Sequence, residues 1–268
     1  MGKTFLRWAG GKHWLVNAER HRFPTTYNRY IEPFLGGGAV FFCIEPRNAI
    51  LSDVNSELIN TYIAVRDNVD LVYNNLRIHS NNHSKEYYYH IRERKPRTLY
   101  TLAARMIYLN KTCFNGIYRV NRDGKFNVPF GTRDEIYFDR ADLYEASNVL
   151  QGAKLLCQDF EITIDLAMKN DFLFCDPPYA VVDEDNRFVS YNADAFSWQD
   201  QVRLSNALIR AKDRGVKVLM TNVDHPAVRN LYENIEGFVL DTVERQCFIS
   251  GTVEGRRAYQ ELIVSANM

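Results

Sequence analysis

The sequence predicts an α/β protein interrupted by a polar, mostly helical insertion. Apolar strand-like runs alternate with helical periodicity near both ends of the chain, lapse between about residues 67 and 148, and then resume. At 268 residues, 46% hydrophobic and 25% charged, the chain suits one α/β domain with a sizeable insertion and can bury a large core.

The elements follow in order. Tyr30 to Phe34 reads as a strand, Gly36-Gly37-Gly38 as a turn, and Ala39 to Phe42 as the start of a helix. A second strand, Ala49 to Ser52, ends at Asp53, and a helix runs from about Glu57 to Val65. After the insertion come the strands 154–157 and 171–175. A helix starting at Ser197 offers Val202, Ala207, Leu208 and Ala211 for burial, and Gly215 ends it before a strand over 216–221. Pro226 opens a short helix, and 238–243 with 259–264 form an antiparallel terminal pair. The expected boundaries are 1–66 with 149–268 for the α/β domain and 67–148 for the insertion.

Composition excludes several classes. No stretch has the uncharged length of a transmembrane helix, and the first residues lack a signal-peptide core, so a cytoplasmic protein is expected. Five scattered cysteines without a Cys-x-x-Cys pair read as reduced thiols. His79 and His83 stand four apart without carboxylate or thiol company, so no metal site is expected. Net charge is zero but uneven: residues 1–30 carry +5 and residues 92–133 carry +8, leaving −13 elsewhere. Two concentrated basic segments suit a polyanion, or form two solvated helical faces.

The most chemically specific stretch is Asp176-Pro177-Pro178-Tyr179, directly after the apolar run 171–175. Pro178 holds the residue before it extended, so the carbonyls of Asp176 and Pro177 stay out of helical bonding. A planar exocyclic amine has two hydrogens to donate, which a carboxylate and a carbonyl can accept while Tyr179 stacks on the ring. Held so, the nitrogen becomes a nucleophile without a strong base. The plainer reading is a strand-to-loop turn with a capping aspartate.

The turn Phe34 to Gly38 lets a ligand approach backbone where a side chain would block it. Asp53 lies seventeen residues beyond Gly36, at a strand end suited to ribose hydroxyls. Phe41 stands where a dinucleotide fingerprint would want glycine, which leaves NAD a second choice. Gly10-Gly11-Lys12 departs from a phosphate-binding loop, because Phe5 and His13 occupy its required positions, and Lys12 suits a ligand carboxylate instead. A cofactor with adenine, ribose and an amino-acid tail fits these signals.

These motifs taken together, namely Phe5 to Lys12, Glu32 to Gly38, Leu51 to Asn55, Phe114-Asn115-Gly116 with Asn127 to Gly131, Asp176 to Tyr179, and a tail with Arg245, Ile249-Ser250 and Glu261-Leu262, resemble the Dam-type DNA adenine-N6 methyltransferases. The resemblance spans nearly the whole chain in the family's order. It implies a Rossmann-like, S-adenosylmethionine-dependent sheet with a helical target-recognition insertion carrying a β-hairpin.

By that resemblance Trp8, Ala9, Gly10 and Lys12 border the methionine part of S-adenosylmethionine, Pro33, Phe34, Gly36 and Gly38 form the turn beneath it, and Asp53 meets the ribose. Asp159 and Phe160 flank the cofactor adenine, with Phe160 equally readable as a core aromatic. Asp176, Pro177, Pro178 and Tyr179 act on an adenine flipped out of duplex DNA, with no metal, and Cys175 is a small core residue.

In the insertion, residues 118–128 alternate on both sides of an Asp-Gly turn, which signals a hairpin fit for the major groove. The resemblance gives Arg119 a base contact, Ile117 and Pro129 a thymine methyl, and Arg7 the outer guanine of a GATC-like site. Asn115 and Phe114 fill the space left by the flipped base, with Asn121 and Asn127 on the same DNA side. Lys111, Arg122, Lys125 and Arg133 suit phosphate, and each arginine is equally readable as a surface ion pair. Segment 180–191 reads as a mobile loop with Ser190 and Tyr191 facing DNA. A monomer is expected. Cytosine-N4 methylation and an inactive DNA-binding regulator are the alternatives; intact Gly36, Gly38, Asp53 and Asp176 weigh against the second.

Overall fold

The computed structural model describes residues 3–121, 124–133, 135–179, 196–246 and 258–268. Among them seven strands follow the sheet order β3-β2-β1-β4-β5-β7-β6, a mixed α/β sheet with a Rossmann-like 3-2-1-4-5 core order. These are β1 (Tyr30–Glu32), β2 (Ala49–Asp53), β3 (Ala153–Cys157), β4 (Phe172–Cys175), β5 (Lys217–Val223), β6 (Val239–Gln246) and β7 (Ala258–Ala266). The chain divides into two compact units, Met1–Arg20 with Leu35–Gln158, and His21–Phe34 with Asp159–Met268.

In the first unit β2 and β3 pair in parallel, with Asp53 opposite Cys157. Short helices α1 (His13–Ala18) and α2 (Ala39–Ile44) precede β2, and α3 (Ser56–Asp67) follows it. Asn55 caps α3 by accepting the Leu58 N–H, so the helix begins at Ser56, one residue ahead of the start expected at about Glu57. The insertion supplies α4 (Val69–Asn81), α5 (Lys85–Glu93), α6 (Leu99–Thr112) and α7 (Arg140–Leu150). Helix α6 is buried along most of its length, from Ala103 to Thr112, and forms the insertion's spine.

His79 and His83 are structural here. His79 Nδ1 meets the Tyr87 hydroxyl at 2.8 Å and its ring stacks on Tyr108, while His83 bridges the Tyr108 hydroxyl and the Arg133 carbonyl. Burial, with the Arg94 charge adding, lowers the His79 pKa from 6.5 to about 4. The folded state therefore resists protonation that the unfolded chain accepts. The resulting stability is full above pH 6.5 and is lost as pH falls toward 4, at roughly 1.4 kcal/mol per pH unit for one proton. Thermal melts between pH 7 and pH 5 are expected to show a steeper loss in the wild type than in His79→Gln.

In the second unit β1, β4 and β5 are parallel, and Cys175 lies opposite Met220 at the carboxyl ends. The antiparallel terminal pair forms as expected, but β7 takes the inner place between β5 and β6. The reason is hydrophobic. Leu262, Ile263 and Val264 are fully buried, whereas β6 carries Asp241, Glu244 and Arg245 and leaves Val239 exposed, which suits an edge. Helices α8 (Phe160–Asp165), α9 (Trp198–Asp213) and α10 (Pro226–Arg229) complete the unit. Ser197 and Asp200 form the capping box of α9, whose buried face is Gln201, Leu204, Ser205, Ala207, Leu208 and Ala211. Val202, expected inside, is half-buried because that face follows the 201, 204, 208, 211 row.

Candidate active site

The strand order reverses between β1 and β4, and ligands of open α/β sheets bind outside the carboxyl ends of strands at such a reversal. β4 is buried at all four residues and delivers Asp176 directly from its end. Asp176 is half-buried, Pro177 buried and Pro178 exposed. Asp176 Oδ1 accepts the Thr221 hydroxyl at 2.8 Å, a partner that sequence reading missed. The register gives it away: Cys175 pairs with Met220, so Asp176, just past the end of β4, lies level with Thr221 on the neighbouring parallel strand β5.

The Tyr179 hydroxyl is buried beside Thr221 and Glu261, and its pKa is raised by burial and by the negative charges of Asp176 and Glu261. Tyr179 thus keeps its proton and is anchored at its hydroxyl end, while the residue as a whole is only half-buried. Glu261 lies on β7 and is itself buried. Cys175 is fully buried and its thiol pKa is raised by burial, as a core residue's should be.

Thr221→Val keeps the shape and removes the hydroxyl. A hydrogen bond to a charged group is worth about 1.5–3 kcal/mol, so kcat is expected to fall roughly 10- to 100-fold with KM little changed. Steady-state kinetics check this.

In the same unit Phe34 stacks on Phe160 with centroids 5.2 Å apart, and Phe196 meets both rings edgewise or tilted. Phe160 is buried, with the Arg203 guanidinium 4.8 Å over its face. Asp159 caps α8 through the Glu161 N–H and accepts Arg203 at 2.8 Å. Pro33 is buried beside them in sequence.

The first unit holds the glycine turn. Gly36 and Gly38 take positive φ, 46° and 66°. Asp53 accepts the Gly36 N–H at 3.0 Å on one oxygen and the Asn55 N–H at 2.9 Å on the other. Burial raises its pKa and these backbone bonds oppose that. Lone-pair capacity left on the carboxylate can accept from hydroxyl groups, which is what a ribose diol, a pair of O–H donors, requires.

The turn has a steric reason to be glycine-rich besides the approach of a ligand. A Cβ at Gly36 or Gly37 would meet Trp8 at 2.8 or 2.7 Å, so the close approach is made by the protein's own indole. Ala9 and Gly10 are exposed, and Lys12 is buried with its ammonium 3.2 Å from the Gly10 carbonyl.

The expected DNA-side residues of this unit also take definite places. Asn115 and Gly116 are consecutive left-handed residues, φ 57° and 65°, and they leave Phe114 and Asn115 exposed. The Gly116 backbone packs so closely on Arg7 that a Cβ would meet its Cδ at 2.7 Å. Ile117 and Pro129 are exposed, and the Pro129 carbonyl accepts the Phe114 N–H.

The hairpin is reduced to one antiparallel bridge, Val120 with Phe126, tightened by Lys125 donating to Asn121. Arg119 is exposed and its Nε donates to Asn127 Oδ1 at 2.9 Å. Arg122, Ser190 and Tyr191 lie outside the described residues, as do the 180–191 loop and Ile249-Ser250.

Arg7, Lys111 and Arg133 line one cavity of about 400 Å³ with Trp8, His13 and Tyr137. Burial and then the neighbouring cations lower the pKa of both Arg7 and Lys111. Gathered like charges of this kind suit an anion. The basic windows are not uniformly available, however: Arg105 pairs with Glu57, Arg29 with Asp171 and Arg22 with Asp241.

Among the described residues no helix is long and apolar enough to cross a membrane, and no group of three or more His, Cys, Asp or Glu is arranged to hold a metal.

Comparison with known proteins agrees with this chemistry. Residues 8–246 match the model of the D12 class N6 adenine-specific DNA methyltransferases. The type II methyltransferase M1.LlaDCHI of Lactococcus lactis subsp. cremoris is 36% identical over 241 residues, covering 87% of this chain and 85% of its own. A DNA adenine methylase of Haemophilus influenzae is 34% identical over 267 residues, 97% of this chain and 92% of that one. The DNA N-6-adenine-methyltransferase of Escherichia phage P1 is 34% identical over 236 residues, 87% of this chain but 31% of that longer protein. A carboxylate mouth on a parallel strand, a glycine turn answered by an aspartate and a match over most of the length converge, and the chain belongs to the D12 class of N6 adenine-specific DNA methyltransferases.

Proposed function

We propose that this methyltransferase acts on duplex DNA at GATC, flips the target adenine out of the helix, and holds its amine against Asp176 and the Pro177 carbonyl with Tyr179 on the ring. The observation that carries the reading is the Asp176 carboxylate, fixed by Thr221 at the end of β4 beside an anchored tyrosine. A base still paired in a duplex cannot enter such a mouth, so the nucleotide must leave the stack.

The methyl donor that the family implies is S-adenosylmethionine, and the residues present fit it. In one unit Asp53 suits the ribose and Lys12 the carboxylate, with Trp8, Ala9, Gly10, Gly36 and Gly38 assigned to the same ligand by the resemblance; in the other Asp176 suits the amino group and Pro33, Phe34, Asp159 and Phe160 the adenine. When bound it supplies a methyl group already activated by a positive sulfur. Asp176 and the Pro177 carbonyl accept the amine's hydrogens and stabilise charge developing on nitrogen. No general base stronger than a carboxylate is needed.

Arg119 reads a guanine, Ile117 and Pro129 meet a thymine methyl, and Arg7 serves the outer base pair, with Phe114, Asn115, Asn121 and Asn127 on the same DNA side. Lys111, Arg122, Lys125 and Arg133 carry phosphate, Ser190 and Tyr191 join from their loop, and residues 67–148 act as the recognition segment. The enzyme is proposed to work as a monomer in the cytoplasm.

Duplexes with 2-aminopurine at the target adenine test the flipping step. Fluorescence is expected to rise on binding in GATC and not in a duplex with one central pair changed. Equal, unchanged signals from both duplexes would sink the flipping and the site together.

A further inference from the structure

We propose that Tyr118 is a positioning residue that makes base discrimination depend on cofactor occupancy, through its stack on Trp8. The inference deepens the proposed function and rests on it for the identity of the two ligands.

Trp8 occupies a singular position. Its ring lies so close over the Gly36-Gly37 turn that neither glycine admits a Cβ, and its indole stacks on Tyr118 with centroids 5.2 Å apart and planes 21° from parallel. Any ligand that reaches the turn therefore meets an indole whose other neighbour is the residue just before Arg119. Tyr118 is held firmly in turn. Its hydroxyl donates to Glu57 Oε2 at 2.9 Å, Glu57 pairs with Arg105 at 2.9 Å, and Arg105 donates to the carbonyls of Ile91 and Arg92. The Tyr118 ring also packs on Phe126 across the hairpin, 5.7 Å between centroids.

A second link runs parallel to the stack. Asn110, fully buried in α6, accepts the Arg7 N–H at 2.8 Å and donates to the Arg7 carbonyl at 2.8 Å and to the Gly116 carbonyl at 3.4 Å. The segment carrying Trp8 and the base of the recognition hairpin are thus clamped twice. Asn110 fixes the backbones of both whether or not a ligand is present. The Trp8–Tyr118 stack is the part that a ligand at the glycine turn touches, so it is the part that transmits.

Packed aromatic rings change arrangement discretely rather than by continuous deformation, which lets a small shift of the indole select one placement of Tyr118 and so of Arg119. Coupling of this kind is reciprocal: cofactor must tighten cognate DNA by the factor by which cognate DNA tightens cofactor.

The test is a binding cycle on the full chain with S-adenosylhomocysteine, the non-reacting product, and two duplexes, one with GATC and one with a single changed pair. In the wild type the product is expected to tighten the GATC duplex by about 5- to 150-fold and the altered duplex much less, with the same factor in the reverse order of addition. Tyr118→Leu is expected to bring the factor near one while each separate affinity stays within a few-fold. Tyr118→Phe, which keeps the ring and drops only the Glu57 bond, is expected to restore most of it. If Tyr118→Leu does not fold, Tyr118→Met, unbranched and without an aromatic face, is read in its place.

Wild-type coupling in the leucine or methionine variant overturns the proposal, as does a wild type that transfers methyl groups to GATC without any coupling. A wild type that neither binds the product nor methylates DNA refutes the function itself, a distinct result.

Discussion

Replacing Asp176 with alanine is expected to lower methyl transfer by at least 10²–10³-fold while DNA binding changes little. Removing one preorganised group that stabilises developing charge typically costs that much, and Asp176 is proposed to accept an amine hydrogen as well as to meet the cofactor's amino group. The Thr221 hydroxyl, which now donates to Asp176, would lose its acceptor, a further penalty of about 1–3 kcal/mol if it stays buried.

Asp176→Asn separates charge from shape, because the amide keeps one carbonyl oxygen for Thr221. It is expected to remain folded, to bind duplex DNA, and to be severely impaired in single-turnover transfer. Transfer at wild-type rates from either variant would remove Asp176 from the chemistry and leave its strand-end position a matter of turn geometry.

Arg119→Ala is expected to relax discrimination at one base pair by about 5- to 150-fold, the equivalent of roughly 1–3 kcal/mol for a bidentate base contact. The side chain is exposed but not loose, since Asn127 holds Nε and leaves the terminal nitrogens of the fork to meet a base edge. Lys125→Ala, by contrast, is expected to weaken all duplexes alike and to reduce the salt dependence by about one phosphate contact. Competition binding with duplexes changed one pair at a time checks both. A uniform loss for Arg119→Ala would make it a phosphate contact.

The fold was legible where one local signal dominated. Apolar runs marked β2, β3, β4 and β5, and alternation within 118–128 marked the pairing of Val120 with Phe126, because burial of strands acts over a few residues. The inner position of β7 was not legible, since it depends on a comparison between two strands, the apolar Leu262–Val264 against the charged β6.

The site divides the same way. Asp176, Asp53 and the glycine turn stand out as residue types at strand ends, so they could be named before their partners were known. Thr221, Glu57 and Asn110 are ordinary residues, and Tyr118 only a hairpin position, until tertiary pairing puts them beside Asp176 or in the Trp8–Tyr118 assembly. The packing of Trp8 over the glycines was missed for the same reason: nothing local to residues 36–38 reveals it.

The central claim, an adenine amine methylated within GATC, is tested most directly by nucleoside mass analysis of a duplex with a single GATC after reaction with S-adenosylmethionine. N6-methyladenine is expected, one per strand, with none in the duplex with one central pair changed. Methylated cytosine, or N6-methyladenine accumulating equally in both duplexes, would contradict it.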